Sequence, residues 1–379
     1  MLKRNAAAFI CMLLSFLIFP FYTWAQAPPL VNAEGAVLMD ADSGRMLYGK
    51  NAHKNLPPAS TTKIVTAILA LEEGNLDDRT VISKYAEETQ GSSIWLEEGE
   101  IHKLEDLLYA SLLSSANDAS VAIAEHIGGS EADFVHMMNR KAGNVGALNT
   151  HFSNPHGLHD DNHLSTAYDL ALLGRYAMGI PKFREIVATK KRVIPWAGHE
   201  WSRMLVNKNR LIKNPNLYPH ADGVKNGYTR AAGNCLVASA VKGNMRLIAV
   251  VLDASNASEE AVKLLDYGFE NFERVQFASR GEKIHRVKSK DGHEIQLTAA
   301  EPLSVALKKD EKRRINKIVS VPDEISVDVR KGDILGQLII ELEGEKLGSV
   351  NLLSHTTVVK NPWLVGFFRK IFSSLTFMI

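Results

Sequence analysis

Gly223-Val-Lys-Asn-Gly-Tyr-Thr229 precedes two apolar runs, Cys235-Leu-Val-Ala-Ser-Ala-Val241 and Met245-Arg-Leu-Ile-Ala-Val-Val-Leu-Asp253, joined by Lys242-Gly-Asn244. Both runs are rich in β-branched residues, and Lys-Gly-Asn has the chemistry of a tight turn, so this stretch predicts an antiparallel hairpin. The segment before it then forms an edge strand with Lys225 facing a cleft. Gly227, lacking a Cβ, would let a substrate lie close against the backbone there. Glu259 to Phe272 follows as a helix. Upstream, Ala36 to Tyr48 predicts another hairpin: Val37, Leu38 and Met39 enter the turn-rich Asp40-Ala-Asp-Ser-Gly44, and Met46, Leu47 and Tyr48 return.

Between these β regions the apolar spacing is helical. Thr61 to Glu73 is apolar at Ile64, Ile68, Leu69 and Leu71, with Gly74 placed as a C-cap. Leu104 to Ser114, Ala119 to Ile127 and Ser165 to Met178 repeat the pattern, and Ser130 with Asp133 has capping-box spacing. Strands, then helices, then strands and a helix predict an α+β domain: an antiparallel sheet with a helical subdomain. From 276 to 360 short alternating segments are punctuated by Lys290-Asp-Gly292, Val321-Pro-Asp323, Lys331-Gly-Asp333 and Glu343-Gly-Glu345. That texture predicts a small all-β domain. The expected organisation is 1–25 an export signal, 30–275 a catalytic domain, 276–360 a β-rich domain and 361–379 a terminal helix.

The chain has 379 residues, 45% hydrophobic and 23% charged, with a net charge of +1. So balanced a surface is not built around a polyanion, which argues against nucleic acid as a partner. Lys3 and Arg4, the apolar run Ala6 to Phe21 and small residues at Thr23 and Ala25 have the layout of a cleaved signal peptide, with an uncleaved anchor as the alternative. Of the two cysteines, Cys11 lies in that segment, so Cys235 has no internal partner for a disulfide.

Three short motifs carry chemistry. Ser60-Thr-Thr-Lys63 opens the first helix after Pro57-Pro58. A spacing of three puts Ser60 and Lys63 on one face, and free N–H groups at the helix start can hold an oxyanion. A serine hydroxyl needs a base, and Lys63 serves only when neutral. Lowering its pKa from ~10.4 to ~7.5 takes roughly 4 kcal/mol of burial and like-charge repulsion, part of it available from a second lysine. Alone the motif says little, since Ser239-Ala-Val-Lys242 has the same spacing within a strand. Ser115-Ala-Asn117, at the end of an apolar helix, offers a hydroxyl to relay a proton and an amide to pair with a peptide backbone. Lys225-Asn-Gly227 is the third. In this order Ser-x-x-Lys, Ser-x-Asn and Lys-x-Gly form the set of acylating serine enzymes that includes class A β-lactamases and penicillin-binding proteins.

On these motifs, and on Pro58 to Lys63, Gly91-Ser-Ser93, Asn154-Pro-His-Gly-Leu158, Asn207-Lys-Asn209 and Ala232-Gly233, the chain resembles the low-molecular-weight penicillin-binding proteins, serine-type D-alanyl-D-alanine carboxypeptidases, from Glu34 to its end. The resemblance implies the serine β-lactamase/DD-peptidase-like fold, a small C-terminal β domain and an amphipathic membrane anchor. It implies Ser60 as the acylated nucleophile, Lys63 as base, Ser115 as proton relay and Asn117 bound to the substrate amide. Lys225 would meet the substrate carboxylate, and the N–H groups of Ser60 and Tyr228 would form the oxyanion hole. The substrates implied are peptidoglycan stem peptides ending in D-Ala-D-Ala, with β-lactam antibiotics as ligands and neither metal nor organic cofactor. Where the family has Thr, this chain has Asn226, whose amide or Thr229 must then serve the carboxylate.

His156, His159, Asp160, Asp161 and His163 crowd one loop with metal-ligand residue types, but their spacing fits no zinc template. Trp363 to Ile379 gathers an apolar face opposite Arg369 and Lys370, the pattern of a helix lying on a membrane surface at the outer face of the cytoplasmic membrane. A β-lactamase would need a deacylating carboxylate, and no Glu-x-x-Leu-Asn segment lies between Ser115 and Lys225. A catalytically weak cell-wall-binding protein is the remaining alternative, supported by Asn226 alone.

Overall fold

The architecture described here is that of a computed structural model covering residues 27–196, 198–325 and 328–358. The expected export signal and the terminal helix at 361–379 lie outside these residues. Strands of the first domain are β1 (Ala33–Asp40), β2 (Met46–Lys50), β3 (Arg79–Val81), β4 (Ile101–Lys103), β5 (Lys191–Pro195), β6 (Ser202–Val206), β7 (Ala221–Thr229), β8 (Gly233–Lys242) and β9 (Met245–Ala254). Its helices are α1 (Lys63–Glu73), α2 (Lys84–Glu87), α3 (Leu104–Tyr109), α4 (Asn117–Gly128), α5 (Glu131–Val145), α6 (Ala167–Gly179), α7 (Pro181–Ala188), α8 (Arg210–Lys213) and α9 (Ala257–Asn271).

One antiparallel sheet, in the order β2-β1-β9-β8-β7, carries the domain. Residues 235–240 of β8 are buried without alternation because both sheet faces are covered. Val37, Val237 and Val250 pack toward the helical layer of α1, α4 and α6, whereas Leu38, Leu236 and Val251 pack on α9. The fold is α+β, as the order of sequence patterns predicts. Among the described residues β7 pairs only with β8, so its far side is a free edge.

Lys63 through Ala70 of α1 are all buried, the pattern of a helix enclosed on every side. Gly74 is its C-cap, as the sequence indicates, with an extended backbone at φ −102 and its N–H donating to Ala70 O at 3.2 Å. Close packing accounts for this glycine, since a Cβ would stand 2.5 Å from Leu104 Cδ2 and 2.7 Å from Ile127 Cδ1. The apolar run after Leu104 divides into α3 and a π-helical turn, Ala110–Ser114, which ends at Ser115 in the left-handed region with φ 59.

Beyond α9, β10 (Glu273–Ala278) pairs with β13 (Leu303–Leu307). The strands β11 (Lys283–Lys288), β12 (Glu294–Ala299), β14 (Ile315–Ser320), β15 (Ile334–Leu342) and β16 (Glu345–Ser354) form a second sheet, ordered β11-β12-β16-β15-β14. This all-β part has its own core, including Leu297, Val305, Ile340 and Leu352. Among the described residues, no helix is long and apolar enough to cross a membrane.

Candidate active site

Ala59–Thr62 forms one 3-10 turn that runs into α1 and presents Ser60 beside the free-edge strand β7. Ala59 takes the left-handed conformation, with φ 48. The turn is braced by Thr61 Oγ1 donating to Pro58 O (2.7 Å) and Thr62 Oγ1 donating to Ala59 O (2.8 Å). His163 Nδ1 accepts from Ser153 N, so its neutral form carries the proton on Nε2, which donates to Thr62 Oγ1 at 2.8 Å. Burial holds His163 at a pKa of about 4 and His156 at about 3, which keeps both rings neutral. His163 thus braces the nucleophile turn, while the His156 ring accepts from Leu158 N at 3.2 Å. Gly157, at φ +87, lies so close that a Cβ would be 1.9 Å from Ala59 O.

Lys63 is fully buried. Its Nζ lies 3.1 Å from Ser60 Oγ and donates to Asn117 Oδ1 (2.7 Å) and His156 O (2.7 Å). Burial, then the charges on Lys225 and Lys208, push its pKa well below the usual lysine value, against a smaller opposing effect of Asp118. A neutral amine has two N–H groups and one lone pair. Both N–H groups go to carbonyl oxygens, so the lone pair is left for the Ser60 hydroxyl.

The left-handed backbone at Ser115 breaks the helix and turns its hydroxyl toward β7, where it accepts from Lys225 Nζ at 3.1 Å. Its hydrogen bond therefore goes to Lys225. Asn117 starts α4; its N–H donates to Ser92 O and its Nδ2 to Gln90 O (2.7 Å), and Oδ1 accepts from Lys63. One amide hydrogen remains for a ligand. Gly91 makes room, since a Cβ there would stand 2.6 Å from Asn117 Nδ2.

Lys225 is fully buried on β7 and also donates to Asn226 O at 2.8 Å. Burial, then Lys208, brings its pKa to about 7. At Gly227 a Cβ would be 2.7 Å from Ser60 N and 3.0 Å from Ala59 Cβ, so this glycine lets the nucleophile turn itself approach the strand. Asn226, half-buried, lines a cavity of about 260 Å³ with Lys208, Arg210, Gly227 and Tyr228. The Tyr228 side chain is exposed, and Thr229 Oγ1 accepts from Ala232 N (3.0 Å), so its hydroxyl is tied into the β7–β8 turn.

The sequence reading assigned no role to Lys208 or Asp118. Lys208 sits within the Asn207-Lys-Asn209 stretch and donates to Ser92 Oγ at 3.1 Å, placing a third lysine near Lys63 and Lys225 whose charge lowers the pKa of both. Asp118, wholly buried, accepts from Ser93 Oγ (2.6 Å) and from the N–H groups of Ile94 and Leu96, fixing that loop to the start of α4. Its place directly after Asn117 was the available signal.

A family model described as D-alanyl-D-alanine carboxypeptidase matches residues 23–256, and one described as the C-terminal domain of penicillin-binding protein 5 matches 272–360. The D-alanyl-D-alanine carboxypeptidase DacF of Bacillus subtilis (strain 168) is 41% identical over 327 residues, covering 83% of each chain. DacC of Escherichia coli (strain K12), of the same description, is 33% identical over 367 residues, 90% of this chain and 87% of its own. Among solved structures, penicillin-binding protein 5 from Haemophilus influenzae superposes with a TM-score of 0.76 at 30% identity, covering 88% of this chain and all of that one.

Proposed function

The chain belongs to the D-alanyl-D-alanine carboxypeptidase family of penicillin-binding serine peptidases, and from that premise we propose that Ser60 is its acylated nucleophile. The observation that carries this reading is the buried Lys63 amine, 3.1 Å from Ser60 Oγ and bonded to the carbonyl oxygens of Asn117 and His156, with its pKa pushed well down by burial and by neighbouring lysines. Lys63 takes the hydroxyl proton as Ser60 attacks the carbonyl of the penultimate D-alanine. The N–H groups of Ser60 and Tyr228 hold the oxyanion, and Asn117 uses its remaining amide hydrogen on the acyl-side backbone. Ser115, tethered to Lys225, delivers the proton to the departing nitrogen, and D-alanine leaves. Water then hydrolyses the ester by the reverse proton path. Protonated Lys225 and the amide of Asn226 receive the terminal carboxylate. A β-lactam enters the same acylation, since it too presents a carbonyl and a carboxylate.

In this reading 30–275 is the catalytic unit and 276–360 a β-rich unit. The protein is exported and works on the outer face of the cytoplasmic membrane, held by 361–379. A chain ending at Lys360 should leave anionic vesicles that the full chain binds; if it stays bound, the anchor lies elsewhere. For the site, mass spectrometry after benzylpenicillin should place one adduct on Ser60. Labelling undiminished in Ser60→Ala, or located on Ser115 or Ser239, would overturn the assignment.

A further inference from the structure

The two domains enclose a cavity of about 510 Å³ that none of the residues assigned to catalysis lines. Its size falls within the ~300–1,000 Å³ of small-molecule sites. From the first domain come Asp42, in the β1–β2 turn, and Arg175 of α6; from the β-rich part come Arg274 of β10, Glu301, Ser304 of β13 and Asn351 of β16.

Two of its four charged side chains satisfy each other, since Arg274 Nε is ion-paired with Asp42. The other two do not. Among the described residues neither Arg175 nor Glu301 has an ionic partner, and they do not pair with one another. Arg175 is nonetheless held in place by backbone: Nε donates to Ala41 O (2.7 Å) and Nη2 to Asp42 O (2.8 Å). Its guanidinium lies over Gly44, at φ +80, where a Cβ would stand 3.4 Å from Nη1. Nη1 keeps both its hydrogens, so a fixed, planar cation presents an open side that suits a carboxylate.

Strand β13 supplies an independent observation. Leu303, Val305 and Leu307 turn into the β-rich core, whereas Ala306 packs with the first domain, so Ser304 shares the face of Ala306. Ser304 is 4% exposed and lines the cavity, and its Oγ has no hydrogen-bond partner. A buried hydroxyl left unmatched is costly, which points to a polar ligand atom beside it. Asn351 adds a donor: its Oδ1 is taken by Gln337 Nε2 (3.0 Å), leaving the N–H groups of its amide.

We propose that this cavity binds a zwitterionic solute of amino-acid or dipeptide size, its carboxylate on Arg175, its ammonium on Glu301 and an oxygen on Ser304 Oγ. A simple anion would meet Asp42 and Glu301, and a simple cation would meet Arg175 and Arg274. A ligand carrying both charges completes the two unpaired groups at once. Because these stand on different domains, the bound ligand clamps the domains together. The proposal is independent of the acyl-enzyme reading.

Calorimetric titration of the full chain tests this with D-alanine and with L-alanyl-L-alanine, neither of which offers a D-Ala-D-Ala bond. At least one should bind at millimolar concentration and raise the melting temperature. Its N-acetyl and C-terminal amide forms should bind at least about tenfold more weakly. Glu301→Gln and Ser304→Ala should each weaken binding roughly fivefold or more, while the melting temperature without ligand changes little. Equal affinity in wild type and both variants would place the ligand elsewhere and overturn the proposal. Acetate binding as tightly as the zwitterion, with Glu301→Gln unaffected, would make this an anion site and overturn it as well. So would the failure of both probes to bind, leaving Ser304 to water.

Discussion

Asn226 lies beside two cations, Lys208 and Arg210, in the small cavity next to Lys225. A neutral donor to a carboxylate is worth ~1.5–3 kcal/mol, but the Asn amide is planar and reaches one atom further from the backbone than a threonine hydroxyl. Asn226→Thr should therefore raise kcat/KM for a D-Ala-D-Ala peptide about tenfold, or ~1.4 kcal/mol, with Asn226→Ala below both. Steady-state kinetics on the three forms check this; an alanine form equal to the parent removes this side chain from the substrate. Lys225 makes a second test. With its pKa brought to about 7 by burial and by Lys208, it loses charge in the free enzyme just where a carboxylate needs it. KM for such a peptide should rise as pH climbs through about 7, and should barely move for the same peptide amidated at its C-terminus. The lowered pKa also bears on stability. Between about 7 and ~10.4 the unfolded chain holds a proton on this lysine that the folded one lacks, so this residue's contribution makes stability rise with pH across that window.

At the scale of elements, the two glycines Gly227 and Gly143 make opposite predictions. Gly227→Ala would place a Cβ 2.7 Å from Ser60 N, against backbone that cannot swing aside, so penicillin acylation should fall at least about a hundredfold. Gly143, in the last turn of α5 with open space around it, should gain ~0.5 kcal/mol as alanine and acylate as before. Stopped-flow acylation and thermal melts separate the two; a fast Gly227→Ala enzyme would show that the turn can retreat from the strand. Much of this framework was legible in the sequence. Hairpin β8–β9 follows from two β-branched runs and one turn, and Ser130 caps α5 by accepting from Asp133 N as the spacing indicates. The three motifs themselves meet in space. What escaped were features set by long-range packing. No local signal distinguishes a π-turn from continued α-helix at Ala110–Ser114, yet that turn aims Ser115. Likewise β5–β6 lacks a strong alternating pattern, and the partners that hold it are Glu100 and Trp95, about a hundred residues away.

Across the whole molecule, every residue assigned to catalysis lies in the first domain, and the β1–β2 turn ties that domain to the β-rich one. Asp40, buried, accepts from Ser43 Oγ (2.5 Å) and from Ala306 N (3.2 Å), and Arg274 pairs with Asp42. Arg45 binds Glu311 through both guanidinium nitrogens, at 2.8 and 2.7 Å, and also donates to Ala306 O at 2.8 Å. Burial alone would raise the Glu311 pKa, but these bonds and the Arg45 charge outweigh it and leave it lowered. Removing one partner of such a largely buried pair strands a charge, at a cost of about 3–5 kcal/mol. Arg45→Ala should therefore lower the melting temperature at pH 7 by several degrees. It should leave the rate of penicillin acylation at 25 °C unchanged, because the Ser60 turn, α4 and β7 take no support from Glu311. The pH dependence has a definite sign. A carboxylate with a lowered folded pKa contributes stability that is present above its unfolded value near ~4.3 and lost as pH falls through the folded value. The gap in melting temperature between wild type and Arg45→Ala should thus hold from pH 7 to about 5 and close below ~4. A gap that persists undiminished in acid would mean that Arg45 acts through Ala306 O and its packing, not through the charge of Glu311.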